Sequence, residues 1–396
     1  MKQIIFIAIC AILFAACGKD EKPDVVAEKI AELKAQFAPD KRVSIFNIEV
    51  QSKANPIILK GETQYPEAKE TLKTFLDTSG ITFVDSIVLL PDPDLGGTHF
   101  GVVRLPVCNI RTSPKHTAEL STQATLGTPL RIWKKLGDWY YVQTPDRYLG
   151  WLDGAGLTPM QVEQYRQWIG RQKRIVTARH SFVYTKADAR SSIVTNAIAG
   201  NILAQTGGVE NGFQMVGLPD GRQGFIRLHD TDIFGDWLES RTFTDSAMLA
   251  TANSFMGVPY LWGGTSPNGF DCSGFTKTVF FLNGIVLPRD ASQQVNVGVD
   301  LGTELDFGKW LPGDLLFFGR SKNEESPEKI THVAIYLGNG KIIHSAGNVK
   351  IESLKRIDPD FAPQRYDSFV RAKRMLGVSG DNGVYALTTM PEYTGE

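Results

Sequence analysis

The sequence has few cysteines, little net charge and no long apolar segment in its interior. Four cysteines among 396 residues do not provide the framework of a disulfide-stabilised domain. The formal net charge of −1 gives no broad basic field and therefore does not favour nucleic-acid binding. No internal run reaches the roughly 18 apolar residues of a membrane-spanning helix. The chain is expected to form two to four ordinary globular domains.

The first 17 residues have the pattern of an export signal. Lys2 supplies a positive charge, and the stretch from Ile4 to Ala16 is apolar but too short to span a membrane. Ala15-Ala16-Cys17 resembles a lipobox, in which the cysteine is lipidated and becomes the mature N-terminus. Residues 1–17 are thus predicted to be a lipoprotein signal, and Cys17 the lipid anchor of an exported envelope protein. Ordinary signal cleavage after the alanines is the alternative.

Two cysteines, Cys108 and Cys272, then remain in the folded part of the chain. Cys108 lies in an apolar, strand-like run and is expected to be buried and inert. The sequence leaves a disulfide between the two open. Cys272 begins an amphipathic helix, and the backbone N–H groups of a first helical turn stabilise a thiolate and lower its pKa. The same groups can stabilise an oxyanion, so Cys272 is a candidate nucleophile.

The patterns of turns and apolar residues predict a multidomain α+β chain. Residues 18–100 are expected to form a tether and a small α+β domain with two helices and three strands. Residues 101–160 and 170–235 repeat a polar–aromatic strand, a Pro-Asp turn and a Gly–aromatic–aliphatic strand. Short strands between such turns indicate two small β-barrels, which resemble bacterial SH3-like domains. Residues 245–380 alternate helices and strands and form the last expected domain.

A cysteine hydrolase needs an imidazole beside the thiol and a third polar group that orients this imidazole. His332 and His344 are placed for these roles on two strands joined by the turn Gly338-Asn339-Gly340. A simple two-residue turn would put the histidines on opposite faces, whereas a three-residue loop or a bulge puts them on the same face. The triad therefore predicts the loop or the bulge. No metal-ligand spacing is present, and neither a metal nor a cofactor is expected.

Several motifs closely resemble the NlpC-like family of papain-fold cysteine peptidases. They lie in the last third of the chain and are Tyr260-Leu261-Trp262-Gly263-Gly264, Asp271-Cys272-Ser273-Gly274-Phe275, Leu311–Phe318, Thr331–Tyr336 and Ile343-His344-Ser345. The resemblance implies a papain-like α+β catalytic domain in which Cys272 is the nucleophile. It further implies that His332 is the base and then the acid, and that His344 orients it. Tyr260 would lie beside the nucleophile.

The two barrels add a resemblance to the subgroup that hydrolyses the γ-D-glutamyl–diamino acid bond of peptidoglycan stem peptides. In that subgroup the first barrel caps the cleft, which would place Glu119 near the substrate. Further contact positions of the subgroup are matched by Tyr148, Asp271, Ser273, Ala291 and Ser292. The resemblance implies that the carboxylates of Glu119 and Asp271 bind the free ammonium of an N-terminal L-Ala. Stems that are still attached to glycan lack this charge and would be rejected.

The expected protein is thus a monomeric lipoprotein that cleaves L-Ala-γ-D-Glu-diamino acid peptides and binds no nucleic acid. One alternative is another wall bond on the same fold, which would make it a D,D-endopeptidase or a muramoyl-L-alanine amidase. The other is an inactive wall-binding protein whose barrels hold peptidoglycan. Intact Cys272, His332 and His344 argue against this second alternative.

Overall fold

The computed structural model describes residues 22–52, 55–241, 244–378, 380 and 383–395. They form two compact units, one ending at Leu90 and the other beginning at Pro91. The predicted signal and its lipidation site at Cys17 lie outside the described residues. In the described part of the chain, no helix is both long enough and apolar enough to cross a bilayer.

The first unit is the expected small α+β domain. Its elements are α1 (Lys22–Phe37), β1 (Phe46–Ser52), β2 (Ile57–Thr63), α2 (Pro66–Thr78) and β3 (Phe83–Leu89). Strand β2 pairs antiparallel with β1 and parallel with β3, and α2 makes the crossover that a parallel pair requires. Ala68, Leu72 and Leu76 are spaced four residues apart on α2, and this face is fully buried. The unit ends at Leu90, before the expected boundary at residue 100.

The second unit begins with a seven-stranded barrel in the strand order β10-β4-β7-β8-β9-β5-β6. Its strands are β4 (Phe100–Val103), β5 (Val107–Arg111), β6 (Leu120–Thr125), β7 (Pro129–Leu136), β8 (Trp139–Gln143), β9 (Leu149–Asp153) and β10 (Leu157–Met160). Cys108 is buried in the core of this barrel with a free thiol that contacts the carbonyl oxygen of Gly156 at 3.3 Å. Burial raises the pKa of this thiol to about 12, which keeps it in the unreactive, protonated form. Cys108 and Cys272 are both free thiols, so no disulfide joins them.

Helix α3 (Val162–Ile169) leads into a second barrel with the order β13-β12-β16-β15-β14-β11-β17. Its strands are β11 (Lys173–Val176), β12 (His180–Tyr184), β13 (Ile193–Ile198), β14 (Ile202–Glu210), β15 (Phe213–Gly217), β16 (Gln223–Arg227) and β17 (Thr231–Ile233). The repeated motif falls on equivalent hairpins, because Pro145-Asp146 follows β8 and Pro219-Asp220 follows β15. The sequence repeat is therefore a structural repeat.

The rest of the second unit is an α+β domain around a six-stranded antiparallel sheet in the order β21-β26-β22-β23-β24-β25. Its elements are α4 (Phe234–Glu239), α5 (Asp245–Ser254), β18 (Thr265–Ser266), β19 (Gly269–Phe270), α6 (Cys272–Phe281), β20 (Ile285–Val286), α7 (Ala291–Gln294), β21 (Val299–Gly302), β22 (Leu315–Arg320), β23 (Lys329–Gly338), β24 (Lys341–Ala346), β25 (Asn348–Ser353), α8 (Pro363–Asp367) and β26 (Phe369–Arg374). Helix α6 buries Phe275 and Val279 in one core with Val333, Ile335 and Ile343 of the sheet. This packing brings the start of α6 against β23.

The end of the chain continues past the expected domain limit at residue 380. Strand β27 (Tyr385–Ala386) pairs with β20, and α9 (Pro391–Thr394) follows it. Leu387 and Tyr393 are buried in a cluster that includes Ile175 of the second barrel and Trp237 of α4. The C-terminal segment therefore ties the last domain to the second barrel.

Candidate active site

Cys272 is the first residue of α6, and Asp271 caps this helix. The Asp271 carboxylate accepts the Gly274 N–H at 2.6 Å and the Gly263 N–H at 3.0 Å. A Cβ atom at Gly274 would overlap the carbonyl oxygen of Gly264, so the helix start approaches this loop only because no side chain intervenes. The cap and the glycines together fix the backbone that carries the thiol.

Asp271 is also the partner of the fully buried Arg289. The guanidinium donates to the two carboxylate oxygens at 2.5 and 3.2 Å, to the Ser273 hydroxyl at 3.1 Å and to the Thr122 hydroxyl at 2.8 Å. The charge of Asp271 is therefore balanced inside the protein, an arrangement that the sequence did not suggest. Arg289 was visible only as a neighbour of the matched Ala291 and Ser292.

The rings of His332 and His344 meet on one face of the neighbouring strands β23 and β24. Gly338 pairs with Lys341 across the turn, and a bulge between Tyr336 and Gly338, just before the turn, shifts the register so that Ile335 pairs with Ile343. His332 Nε2 then lies 2.8 Å from His344 Nδ1. The structure confirms the prediction of a loop or a bulge, in the form of a bulge.

The hydrogen-bonded chain continues from His344 to Glu352 on β25. His344 Nε2 lies 2.8 Å from one Glu352 oxygen, and the other oxygen is 2.7 Å from Lys350 Nζ. The bond to His344 is the main cause that lowers the pKa of Glu352 to about 2. Sequence reasoning stopped at His344 and missed Glu352, because only the pairing of β24 with β25 brings the two together.

The charge of Glu352 sets the tautomers of both histidines. An ionised carboxylate only accepts hydrogen bonds, so a neutral His344 carries its proton on Nε2 and accepts through Nδ1. The donor to that Nδ1 is then the Nε2–H of His332. His332 is left with a lone pair on Nδ1, which is the form that a general base needs.

Burial also determines where the protons lie before any reaction. Desolvation, and secondarily the charge of Asp271, raises the pKa of the Cys272 thiol to about 11, although the backbone N–H groups of Val333 and Ser273 oppose this. Desolvation, followed by the charge of Arg365, lowers the pKa of His332 well below 6.5. Both groups are therefore neutral at pH 7. The expectation of a lowered thiol pKa is wrong, because burial and the charge of Asp271 outweigh the backbone N–H groups and the charge of Arg289.

Cys272 opens into a cavity of about 490 Å³ between the first barrel and the α+β domain. Every residue predicted to bind substrate lines this cavity, namely Glu119, Tyr148, Tyr260, Asp271, Ser273, Ala291 and Ser292. Glu119 accepts the indole N–H of Trp262 at 2.8 Å, and the Tyr148 hydroxyl donates to Asp290 at 3.1 Å. Trp262 and Asp290 are lining residues that sequence reasoning did not single out.

The first barrel is held over the cavity by buried polar contacts. The side-chain oxygen of Gln123 accepts the Thr265 N–H at 3.0 Å and the Ser266 hydroxyl at 3.1 Å. Gly263 has a φ of 78°, and a Cβ atom there would overlap the carbonyl oxygen of Leu120. The barrel is thus a wall of the cavity.

His332 lines a second cavity, of about 620 Å³, which shares Tyr260 with the first. Burial raises the pKa of Tyr260 to about 12, so its phenol is protonated and can donate a hydrogen bond. Lys350, Glu352 and Arg365 also line this second cavity.

Comparisons with known proteins identify the family. The NlpC/P60 family model matches residues 257–368, and the model of the bacterial dipeptidyl-peptidase SH3 domain matches residues 110–157. The gamma-D-glutamyl-L-lysine dipeptidyl-peptidase of Bacillus cereus is 30% identical over 266 residues, which cover 65% of this chain and 76% of that protein. The protein of the same name from Bacillus subtilis is 30% identical over 234 residues, which cover 57% of this chain and 72% of that protein. The crystal structure of an NlpC/P60 family protein from Bacillus cereus aligns with a TM-score of 0.59 at 24% identity, covering 70% of this chain and 99% of that one. The chain belongs to the NlpC/P60 family of cysteine peptidases.

Proposed function

We propose that the protein is a cell-wall peptidase that hydrolyses the γ-D-glutamyl–diamino acid bond of peptidoglycan stem peptides with a free N-terminal L-Ala. The observation that carries this proposal is the first cavity, in which Glu119 of the first barrel and the Cys272 thiol line the same space. An anionic group and a nucleophile in one cavity suit a short peptide that is held by its amino end. The activity for which the two Bacillus relatives are named supports the choice of bond.

Glu119 is the group that binds the amino end of the substrate. Its carboxylate accepts the indole N–H of Trp262, and no cationic side chain among the described residues pairs with it. An N-terminal ammonium would supply the missing charge by a charge-assisted hydrogen bond. A stem whose L-Ala is amide-linked to glycan has no ammonium at this position. Asp271 contributes differently, since Arg289 already balances its charge.

In acylation, Cys272 sulfur attacks the γ-carbonyl carbon of D-Glu while His332 Nδ1 takes the thiol proton. The proton moves during the attack, because both groups are neutral beforehand. Glu352 stabilises the resulting imidazolium through His344, and the Tyr260 phenol is placed to donate to the oxyanion. The carbon–nitrogen bond then breaks, and His332 gives the proton to the leaving nitrogen. The products are a free diamino acid amine and a thioester on Cys272.

Deacylation uses the same groups in the opposite order. Water attacks the thioester carbonyl and gives a proton to His332. The carbon–sulfur bond breaks, the proton returns to sulfur, and L-Ala-D-Glu is released. The thiol and the neutral imidazole are restored, so neither a metal nor a redox partner enters the balance.

Mass spectrometry of stem-peptide and muropeptide digests tests the proposal. The wild type should release L-Ala-D-Glu from free stem peptides and far less from N-acetylated ones, and Cys272→Ser should be inactive on both. Cleavage of D-Ala cross-links would instead identify a D,D-endopeptidase, and release of whole stems from muramic acid would identify an amidase. Binding to peptidoglycan without any product from the wild type would favour the wall-binding alternative.

We further propose that the protein is exported and held at a membrane by lipid on Cys17. The positive start, the short apolar stretch and Ala15-Ala16-Cys17 support this proposal. Cys17→Ser should lose the incorporation of labelled fatty acid and move from the membrane fraction to the soluble fraction. Cys10→Ser, which changes a cysteine inside the predicted signal, is the matched control and should still be lipidated. Equal membrane association of the Cys17→Ser variant would contradict lipid anchoring at this residue.

A further inference from the structure

Arg365 is a half-buried cation that lines the second cavity and forms no ion pair within the described part of the chain. It lies on α8, and its guanidinium carbon is 5.9 Å from the centre of the Phe318 ring. Within residues 22–52, 55–241, 244–378, 380 and 383–395, no side chain forms an ion pair with it and no oxygen accepts a hydrogen bond from its guanidinium. A partly desolvated guanidinium stays charged, so its position favours the binding of an anion in this cavity.

The other charged groups of the second cavity balance one another. Lys350 pairs with Glu352 at 2.7 Å, and Glu352 also bonds to His344. Burial lowers the pKa of His332 and of His344, so neither ring adds a positive charge at pH 7. The described lining of the cavity therefore carries one more positive than negative charge, because Glu352 acts on Arg365 only from a distance and forms its ion pair with Lys350.

The chemistry of the reaction decides which part of the substrate enters this cavity. The first cavity contains Glu119 and Cys272, and it receives the amino end and the D-Glu that becomes the acyl group. His332 lines the second cavity and must reach the leaving nitrogen to protonate it. Tyr260 lines both cavities, so the scissile bond lies at their junction. The diamino acid, which departs with the nitrogen, then occupies the cavity that contains Arg365.

We propose, on the basis of the function proposed above, that Arg365 is a specificity residue that binds a carboxylate of the leaving diamino acid. Two carboxylates have the required chemistry. One is the α-carboxylate of a stem that ends at this residue, and the other is the side-chain carboxylate by which diaminopimelate differs from lysine. A lysine side chain offers the guanidinium only an ammonium, which it repels. A guanidinium and a carboxylate form paired, charge-assisted hydrogen bonds.

The test compares Arg365→Gln with the wild type on five defined substrates. Four are L-Ala-γ-D-Glu tripeptides that end in diaminopimelate or lysine, each with its α-carboxylate free or converted to the amide. The fifth is L-Ala-γ-D-Glu p-nitroanilide, whose leaving group has no carboxylate. Arg356→Gln is the matched control, because this exposed arginine stacks over the Tyr366 ring at 4.7 Å and does not line the cavity.

Arg365→Gln should lose about 10- to 100-fold more kcat/KM on the substrate with the bound carboxylate than on the anilide. A loss on both free tripeptides that vanishes with the amides assigns the α-carboxylate. A loss confined to the two diaminopimelate substrates assigns the side-chain carboxylate. An equal loss on all five substrates, or none on any, overturns the inference, since Arg365 would then act on Cys272 or not at all. Failure of the wild type to cleave any substrate would instead overturn the proposed function.

Discussion

At the scale of single residues, burial determines the protonation states in the active site more than the adjacent residues in the sequence do. Cys272 and His332 are both held neutral by desolvation, and the negative charge that supports the imidazole comes from Glu352. The pair is therefore a thiol and an imidazole that exchange a proton when substrate arrives. A preformed thiolate–imidazolium pair would need the opposite pKa shifts.

Slow alkylation of Cys272 by iodoacetamide follows from its raised pKa. Only the thiolate reacts, and a thiol with a pKa of about 11 is largely protonated at pH 7. The rate at pH 7, measured on intact protein by mass spectrometry, should not exceed that of glutathione, and it should rise continuously toward pH 10. Cys272→Ser identifies the reacting site. A fast rate that is independent of pH near neutrality would show a preformed thiolate instead.

The pH dependence of kcat/KM should reflect the lowered pKa of His332. The neutral imidazole is the active form, so activity is retained as the pH falls through 6.5 and declines only below that value. Initial rates on L-Ala-γ-D-Glu-diaminopimelate between pH 4 and 7 measure this acid limb. A half-maximal rate at or above pH 6.5 would contradict the lowered pKa.

Replacement of Glu352 tests the chain of tautomers. Glu352→Gln keeps an oxygen that can accept from His344 but removes the charge that stabilises the imidazolium. We expect kcat to fall about 10-fold with little change in KM, and the acid limb of the pH profile to move to lower pH. Glu328→Gln, which removes a carboxylate paired with Arg371 outside both cavities, is the control. An unchanged pH profile would show that Glu352 does not act through the histidines.

At the scale of elements, the sequence predicted what depends on local pattern and missed what depends on pairing between distant segments. The helix that begins at Cys272 and the strands of the two histidines were predicted, and so was a loop or a bulge between these strands, because the chemistry required one of the two. The contacts from Arg289 to Thr122, from Trp262 to Glu119 and from His344 to Glu352 were not. Each of these contacts requires knowledge of which surfaces meet.

The start of α6 gives a stability prediction. Asp271→Asn keeps a residue that can cap the helix but leaves the guanidinium of Arg289 buried without its anion. Loss of one partner of a buried ion pair costs about 3–5 kcal/mol, and we expect this decrease in the free energy of unfolding. Thr244→Ala removes the exposed cap of α5 and should cost about 0.5–2 kcal/mol. Denaturant unfolding measures both. A loss below about 1 kcal/mol for Asp271→Asn would show that its charge is not needed by Arg289.

At the scale of the whole molecule, the active site belongs to more than one domain. The first barrel contributes Glu119 and Tyr148 to the cavity and is joined to the catalytic domain through Gln123. The C-terminal segment joins the catalytic domain to the second barrel. Composition and repeats indicated the separate domains. The two contacts between domains could not be predicted from the sequence, because each is formed by residues that are far apart in the chain and share no motif. The first barrel therefore helps to form the cavity at Cys272.

Recognition of the amino end by another domain is tested with Glu119→Gln. The substitution keeps an acceptor for Trp262 and removes the charge that an ammonium would pair with, so we expect a rise in KM of about 10- to 100-fold for L-Ala-γ-D-Glu-diaminopimelate. The melting temperature should not change, because Glu119 is exposed and forms no ion pair within the described chain. Glu163→Gln, which removes an exposed carboxylate on α3, is the control.

The residual cleavage of the N-acetylated peptide should be equal in wild type and Glu119→Gln, because this substrate has no ammonium that Glu119 could bind. If Glu119→Gln instead weakened cleavage of the free and the acetylated peptide by the same factor, Glu119 would contribute to the shape of the cavity and not to the recognition of charge.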